Sequence, residues 1–339
     1  MLFCRPDDED LLRNLGPRFE PLVERAGHYS IREQVTLPVA LARAGVDLFH
    51  APHYVVSPLT TVPYVVTIHD CIHLRFPQYL PNRTGRVYAR TVMKMAARRA
   101  RRVLTVSQAS KEDILHFLGV PDSKVEVIYN AIDERIATPP SQDEITRVCQ
   151  RFQLTSPYVL YTGNIKPHKN VDRLIEAYSI LRRRGFEQLK LVIIGDDISK
   201  YPNLRRLVHR FQLHQHVRFF GFVPEATLAV LYRMAAMFVF PSLCEGFGLP
   251  PLEAMAAGTP VVTSNVSSLP EVVGDAALLV DPMDAGAIAH AMARLLEDDD
   301  LRRDLIQRGY ERARSFSWAR SAARVREVYG EVLASKPAR

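Results

Sequence analysis

Residues 238–262 read FVFPSLCEGFGLPPLEAMAAGTPVV, and the reading of this stretch decides the fold. An apolar strand over 237–240 enters a loop punctuated by Pro241, Gly246, Gly248, Pro250 and Pro251. The loop feeds a short helical run at 252–257, Gly258 ends that run, and Pro260 opens the next strand. Glycines beside a helix N-terminus leave backbone N–H groups open to a phosphate. Glu245 lies in the loop and Glu253, eight residues on, is placed on the first turn of the helix. Two carboxylates beside a phosphate site would repel it, so they need another task. One is to accept hydrogen bonds from the hydroxyls of a phosphorylated sugar or nucleoside. The other is structural, with Glu253 favouring the positive end of the helix dipole. The local pattern leaves both open.

The same alternation extends through the second half of the chain. YVLYTGN (158–164) is a buried strand ending at Gly163, and the loop IKPHKN (165–170) delivers Lys166, His168 and Lys169. A helix over 171–184 and the strands LKLVIIGD (189–196), VRFFGFV (217–223) and ALLVD (277–281) follow. A glycine lets backbone approach a phosphate and an ammonium within reach neutralises it, although loop lysines are commonly just solvated. The first half offers VDLFH (46–50), PYVVTIHD (63–70), VLTVS (103–107) and VEVIYN (125–130) as strands. Between them lies a helix from about 82 to 102 with Val87, Tyr88, Val92, Met95 and Ala96 on its apolar face. A second helix is expected to be capped by Ser110 and ended by Gly119. Strands alternating with helices make a doubly wound α/β sheet, which binds ligands at the carboxyl ends of its strands. Those ends carry His50, His69, Asp70, Ser107 and Asn130, with Asn164 after Gly163.

Four divisions follow: a Rossmann-like domain over 1–135, a linker over 136–156, a second Rossmann-like domain over 157–316, and a terminal helical segment over 317–339 that contains the only tryptophan, Trp318. The start is unusual. MLFC (1–4) has the look of a strand end, and an acidic run with Leu11, Leu12 and Leu15 follows. A Rossmann-like domain opens on a strand, a glycine-rich turn and a helix. The reading therefore expects a first βα unit, on the order of 30 residues, to be lacking. The accompanying expectation is a less stable chain, weakly active or inactive, with an opened sheet edge.

Composition narrows the class. The 339 residues are 47% hydrophobic and 24% charged, as in an ordinary globular protein. No apolar run approaches the roughly 20 residues that span a bilayer, and Asp7, Asp8, Glu9 and Asp10 argue against a signal peptide. Cys4, Cys71, Cys149 and Cys244 lack paired spacing and read as reduced thiols of a cytoplasmic protein. The net charge of +7 suits an anionic substrate or an anionic membrane. Its densest cluster, KMAARRARR (94–102), is either a solvated helix face or a peripheral contact with lipid at the inner membrane face. No nucleic-acid module is present.

Other chemistry finds less support. His50, His53, His69, His73 and Cys71 raise the question of a metal, but HDCIH on an extended segment lacks a tetrahedral pattern, and no metal is expected. His73, between Ile72 and Leu74, reads as a core histidine, whereas His69 is assigned a polar contact with substrate in a cleft. There is no nucleophile elbow or P-loop, and the two glutamates suit donor binding better than hydrolysis.

In the setting PSLCEGFGLPPLEAMAAGTPVV, Glu245 and Glu253 with seven residues between them resemble the E-x7-E signature of the family 4 glycosyltransferases. VTIHD, VLTVS, VIYNAID, YVLYTGN-IKPHKN, LVIIGD, FFGFVP and SSLPEVVGDAALLVDP stand in that family's order, so the resemblance covers nearly the whole chain. It implies a retaining enzyme of the GT-B fold, two Rossmann-like domains facing across a cleft, using a nucleotide sugar without a metal cofactor. The look of bacterial polysaccharide and O-antigen mannosyltransferase-like members implies GDP-mannose as donor and a glycan or lipid-linked acceptor. By resemblance, Glu245 contacts the donor sugar and the N–H groups of Phe247, Gly248 and Leu249 hold sugar and diphosphate. Glu253 accepts from the ribose, Lys169 binds the diphosphate, Phe222 and Val223 lie against the base, and His69 stands near the transferred sugar. The helix from Trp318 is expected to cross back onto the first domain. Asn164 stands where many members have an arginine, so by this resemblance either Lys166 substitutes for that cation or the diphosphate is neutralised less strongly. The alternatives are a nucleotide-sugar epimerase of the same fold and a truncated, non-catalytic nucleotide-sugar binder.

Overall fold

The computed structural model describes residues 1–26, 30, 32–79, 83–155 and 157–335. Its strands, in chain order, are β1 (Leu2–Cys4), β2 (Pro21–Val23), β3 (Phe49–Ala51), β4 (Tyr64–Thr67), β5 (Arg102–Thr105), β6 (Val125–Val127), β7 (Tyr158–Gly163), β8 (Lys190–Gly195), β9 (Val217–Phe220), β10 (Met237–Phe240), β11 (Val261–Ser264) and β12 (Leu278–Val280). The residues group into two compact units. The first holds Met1–Thr105, Asp113–Glu126 and Val325–Arg339, and the second Val106–Glu112 and Val127–Arg324.

The second unit is built on a six-stranded sheet ordered β12-β11-β10-β7-β8-β9, with every neighbouring pair parallel. Counted from β7, this is the order 3-2-1-4-5-6 of a doubly wound dinucleotide-type fold. The four central strands are apolar almost without interruption and are buried along nearly their full length. Helices on both faces of a parallel sheet demand this pattern. The edge strands β9 and β12 are only partly buried. The order reverses between β7 and β10, so their carboxyl ends form the crevice where such folds take ligands. Ile136 and Val148, on helices Glu134–Ala137 and Gln142–Phe152 within the stretch read as a linker, are buried in this unit's core.

The first unit carries a four-stranded sheet, β3-β4-β5-β6, with β3, β4 and β5 parallel. β1 and β2 pair in parallel as a separate two-stranded sheet. Leu11 and Leu15 are exposed, so the first leucine run contributes little core. In helix Arg83–Arg99 the buried positions are Ala89, Met93, Ala96 and Ala97, whereas Val87 is exposed. Of the face read in sequence, Ala96 is buried and Val92 and Met95 are partly buried, whereas Met93, which that reading leaves out, is buried in one cluster with Tyr64, Val66 and Val103. Asn82 and the side chain of Tyr88 lie outside the described residues. At Trp318–Ala334 the last helix brings Tyr329 to His50 and Glu331 to Arg102, all within the first unit.

Several local expectations are corrected. Helix Gln108–Leu118 is capped by Ser107, whose Oγ accepts from the Ser110 N–H at 3.0 Å, and Ser110 sits inside the first turn. Gly119 closes the helix at φ +63. The helix after the glycine loop begins at Leu249, three residues earlier than read, because the first turn tolerates proline and takes in Pro250 and Pro251. Glu253 therefore stands on its second turn. Residues after Cys71 form a helical turn, Ile72–Arg75, and not an extended segment. That turn buries Cys71 and exposes His73, so His73 is not a core histidine.

Candidate functional site

The site assembles where the sheet order of the second unit reverses. β7 ends at Gly163, which takes φ +139 and lies beside Gly195 at the end of β8. A side chain at Gly195 would place its Cβ 2.0 Å from the Gly163 carbonyl oxygen, so only glycine permits this approach. Beyond the tip, Asn164 and Lys166 are exposed. Asp196 accepts from the Ile165 N–H at 2.9 Å and from the Tyr201 hydroxyl at 2.8 Å, and these bonds hold its carboxyl below the ordinary range.

The next turn places the charge pair. Lys169 Nζ donates to both carboxylate oxygens of Glu245, at 2.7 and 2.8 Å, and lies 5.3 Å from the centre of the Phe240 ring. The side chains are 14% and 9% exposed, so the pair is largely removed from water. Asn170 fixes the turn from below: at φ +59, its buried amide donates to the carbonyls of Pro241 and Pro282 at 3.0 and 2.7 Å.

From Glu245 the chain enters the glycine loop. Gly248 takes φ +115 at the N-cap of helix Leu249–Ala256, and a Cβ there would stand 2.9 Å from a Leu269 methyl. Pro250 and Pro251 have no N–H, so the donors of this helix start are confined to the loop and Leu249. The N–H groups of Gly246, Phe247, Gly248 and Leu249 donate to no other described residue. A run of unpaired donors before a helix is an anion-binding arrangement.

Glu253 projects from the second turn and is half-buried. Its Oε2 accepts from the Tyr232 hydroxyl at 2.8 Å, and that hydroxyl shares a 2.7 Å hydrogen bond with Thr162 Oγ1. Burial raises the Glu253 carboxyl above its ordinary value, against the opposing effect of the tyrosine bond. Its Oε1 has no hydrogen-bond partner among the described residues. Tyr232 is fully buried and its phenol is pushed far up, so it remains a neutral donor.

The remaining residues read from sequence fall into two groups. Val223 is buried and Phe222 is 92% exposed, the latter a large ring with nothing covering it. Asn130 is partly buried. Ser107 is fully buried and donates to the Gly246 carbonyl at 2.7 Å, so its hydroxyl serves the loop. In the first unit, His69 lies two residues beyond β4, is exposed, and its Nε2 stands 3.0 Å from the Pro52 carbonyl. Asp70 accepts from the Ile72 N–H at 2.9 Å and so starts the helical turn. His50 Nε2 lies 2.8 Å from Thr67 Oγ1, and burial lowers its pKa.

Tyr232, Thr162, Asn170, Ser267 and Ser268 escaped the sequence reading. A polar side chain inside an apolar helix run (ATLAVLYRMAA, 226–236) was the available signal for Tyr232, and a position just past β11 was that for the serines. Glu271 was also missed. Its two carboxylate oxygens share the Gln108 backbone N–H, at 2.8 and 2.9 Å, and one of them accepts from the Tyr129 hydroxyl at 2.8 Å. Burial, then this bond, push the tyrosine to about 12. No group of three or more His, Cys, Asp and Glu side chains among the described residues could hold a metal ion, none of the four cysteines is in a disulfide, and no described helix is long and apolar enough to cross a membrane.

Comparison with known proteins gives a consistent result. A family profile described as glycosyl transferases group 1 matches residues 142–312, and one described as glycosyltransferase family 4 matches residues 1–135. The O-antigen chain mannosyltransferase B of Escherichia coli is 35% identical over 283 residues, 83% of this chain and 74% of that protein. The serotype-specific mannosyltransferase WbdA of Escherichia coli is 31% identical over 346 residues, 97% of this chain and 42% of that protein, so the chain spans less than half of this longer relative. Among solved structures, a sucrose-phosphate synthase from Thermosynechococcus elongatus superposes with a TM-score of 0.76 at 24% identity, covering 93% of this chain and 84% of that one. Anabaena HepE in complex with UDP-glucose gives 0.77 at 21% identity, covering 91% and 86%. At these identities the likeness establishes the fold, GT-B.

Proposed function

We propose, for a chain that belongs to the group 1, family 4 glycosyltransferases, that the second unit binds a nucleotide-diphosphate sugar at the reversal point of its sheet and that the enzyme passes the hexose to a hydroxyl of a glycan or lipid-linked acceptor. The observation that carries the reading is the buried Lys169–Glu245 pair set against four unpaired N–H groups, with Glu253 on the next turn but one. Each part answers one need of the donor. Breaking the bond between sugar and diphosphate leaves negative charge on the phosphate. Lys169, Lys166 and the loop N–H groups counter it, and fixed donors in a site of low polarity do so without reorganising. Glu245 retains acceptor capacity beyond the two bonds from Lys169 and takes sugar hydroxyls. Glu253 turns Oε1 to the ribose hydroxyls, while Phe222 and Val223 lie beside the base.

GDP-mannose is the proposed donor. Its support is the run of mannosyltransferases among the similar proteins, and retention of configuration is inherited from the family resemblance. Metal-independent transfer is part of the same proposal. His69 is assigned its place near the transferred sugar on that resemblance alone. The exposed Arg90, Arg98, Arg99 and Arg101 support a peripheral contact with anionic lipid at the cytoplasmic face. Salt-sensitive sedimentation with phosphatidylglycerol vesicles tests that contact.

The donor assignment is tested by calorimetry with GDP-mannose, UDP-glucose and their free diphosphates. Glu253→Ala is expected to weaken donor binding at least about tenfold, from the loss of hydrogen bonds between a carboxylate and two hydroxyls. Unchanged affinity would sink the ribose role. A preference for UDP-glucose would replace the proposed donor while keeping the site.

A further inference from the structure

The carbonyl side of the glycine loop is held as closely as its N–H side is open. The Glu245 carbonyl accepts from Ser267 Oγ at 2.9 Å and from Ser268 Oγ at 3.0 Å. The Gly246 carbonyl accepts from Ser107 Oγ at 2.7 Å and from Ser110 Oγ at 3.0 Å. The same Ser268 hydroxyl lies 2.7 Å from the Phe247 carbonyl, so its one proton is shared between the carbonyls of Glu245 and Phe247. Four hydroxyls thus grip three consecutive carbonyls, and Ser107, Ser110 and Ser268 are almost wholly buried.

A trans peptide is planar, with its C=O and the following N–H pointing in opposite directions. Anchoring the carbonyls of Glu245, Gly246 and Phe247 therefore fixes the directions of the N–H groups of Gly246, Phe247 and Gly248. Those are three of the four N–H groups that donate to no other described residue. Unpaired donors in a largely buried loop are costly, so their retention needs a reason. Ser267 adds strain to the picture. It takes φ +59, a left-handed conformation that a serine side chain disfavours, while its Oγ also accepts the Glu245 N–H at 3.1 Å. Such outliers persist where the surroundings impose them, commonly at ligand sites.

We propose that Ser107, Ser110, Ser267 and Ser268 are positioning residues for the transfer reaction: by holding three loop carbonyls they aim the intervening N–H groups at the diphosphate of the donor. None of the four needs to touch the donor. The proposal rests on the donor assignment above and names the side chains that make the loop rigid before the donor arrives, which is where preorganised electrostatic stabilisation has its effect.

The test separates the terminal phosphate from the rest of the nucleotide. The full chain is titrated with GDP and GMP, and with UDP and UMP in parallel. The wild-type protein is expected to bind the diphosphate of one pair more tightly than its monophosphate. Ser268→Ala, and the pair Ser107→Ala with Ser110→Ala, are each expected to shrink that ratio about tenfold with monophosphate affinity unchanged. Ser107→Ala and Ser110→Ala alone should each lose less, because either hydroxyl can hold the shared carbonyl. Ser267→Gly guards against a folding artefact. Glycine suits the left-handed backbone, so its melting midpoint should stay at or above that of the wild type while kcat falls. A full ratio in every variant overturns the positioning role and leaves the donor site standing, and so does an equal loss of monophosphate and diphosphate affinity. A wild-type protein that binds none of the four nucleotides overturns the donor assignment, and the positioning role with it.

Discussion

The loop that leaves β7 in the second unit and the loop that leaves β4 in the first both end a buried strand in a short polar run. They handle charge in opposite ways. Beyond β7 the ammonium of Lys169 is sunk against Glu245, and Asn170 is buried on two carbonyls. Beyond β4, His69 stays exposed, Asp70 caps the turn it begins, and Arg75 pairs with Asp113. Burying charge costs several kcal/mol of desolvation per ion unless geometry and partners offset it. The first arrangement therefore persists only because each group is bonded on several sides. The second asks for little. A site that must stabilise charge developing during a reaction profits from the first kind of loop, since its dipoles need no rearrangement.

Lys169→Ala should sharpen this contrast most. It strands a buried carboxylate, and unfolding by denaturant is expected to show a loss of about 3–5 kcal/mol. Adding Glu245→Gln should recover most of the stability but no turnover. If the single variant is as stable as the wild type, the pair is not desolvated and the contrast collapses.

Tyr232→Phe comes next. It removes one buried hydroxyl from Glu253 and Thr162, and should cost about 1–3 kcal/mol with a few-fold loss of donor affinity. An unaffected donor affinity would mean that the tyrosine serves packing alone.

The protonation of Glu253 gives a smaller, pH-dependent effect. Burial holds its carboxyl above the ordinary value of 4.5, so the folded state binds that proton more tightly than the unfolded chain does. That contribution to stability is complete below the ordinary value and is lost as pH rises through the raised one. Glu253→Gln should therefore gain melting temperature relative to the wild type as pH is raised from about 4 to neutrality, even as it loses donor affinity. Parallel melting curves across that range would break the assignment. His69→Ala should be the mildest for folding, within about 0.5 kcal/mol, because the ring is exposed. Its expected signature is reduced turnover with unchanged GDP binding, and full activity would remove His69 from the proposed machinery.

Legibility in sequence followed the same division. β10 covers Met237–Phe240, the strand read in sequence, because a central strand of a parallel sheet must be apolar on both faces. The position of Lys169, Glu245 and Glu253 around the glycine loop was legible because each lies within a few residues of a strand end or a helix start. Helix phase was less so. In Arg83–Arg99, Ala89, Met93, Ala96 and Ala97 are buried while Val87 is exposed, a phase decided by the strand residues that Met93, Ala96 and Ala97 cluster with. His73 reads as a core residue because it stands between Ile72 and Leu74, but the helical turn Ile72–Arg75 turns it to solvent.

The sequence alone determined the alternation of strands and helices, the family, and the charged residues around the glycine loop. Each follows from side-chain type and spacing along the chain, which are local properties. Tertiary structure alone decided that Lys169 and Glu245 pair, that Tyr232 holds one oxygen of Glu253, and that serines from two distant segments converge on the carbonyls of one loop. Lys169 and Glu245, 76 residues apart, and Ser268 and the Glu245 carbonyl, 23 apart, meet only once the strand order 3-2-1-4-5-6 is set, because that order brings the ends of β7, β10 and β11 together at one edge of the sheet.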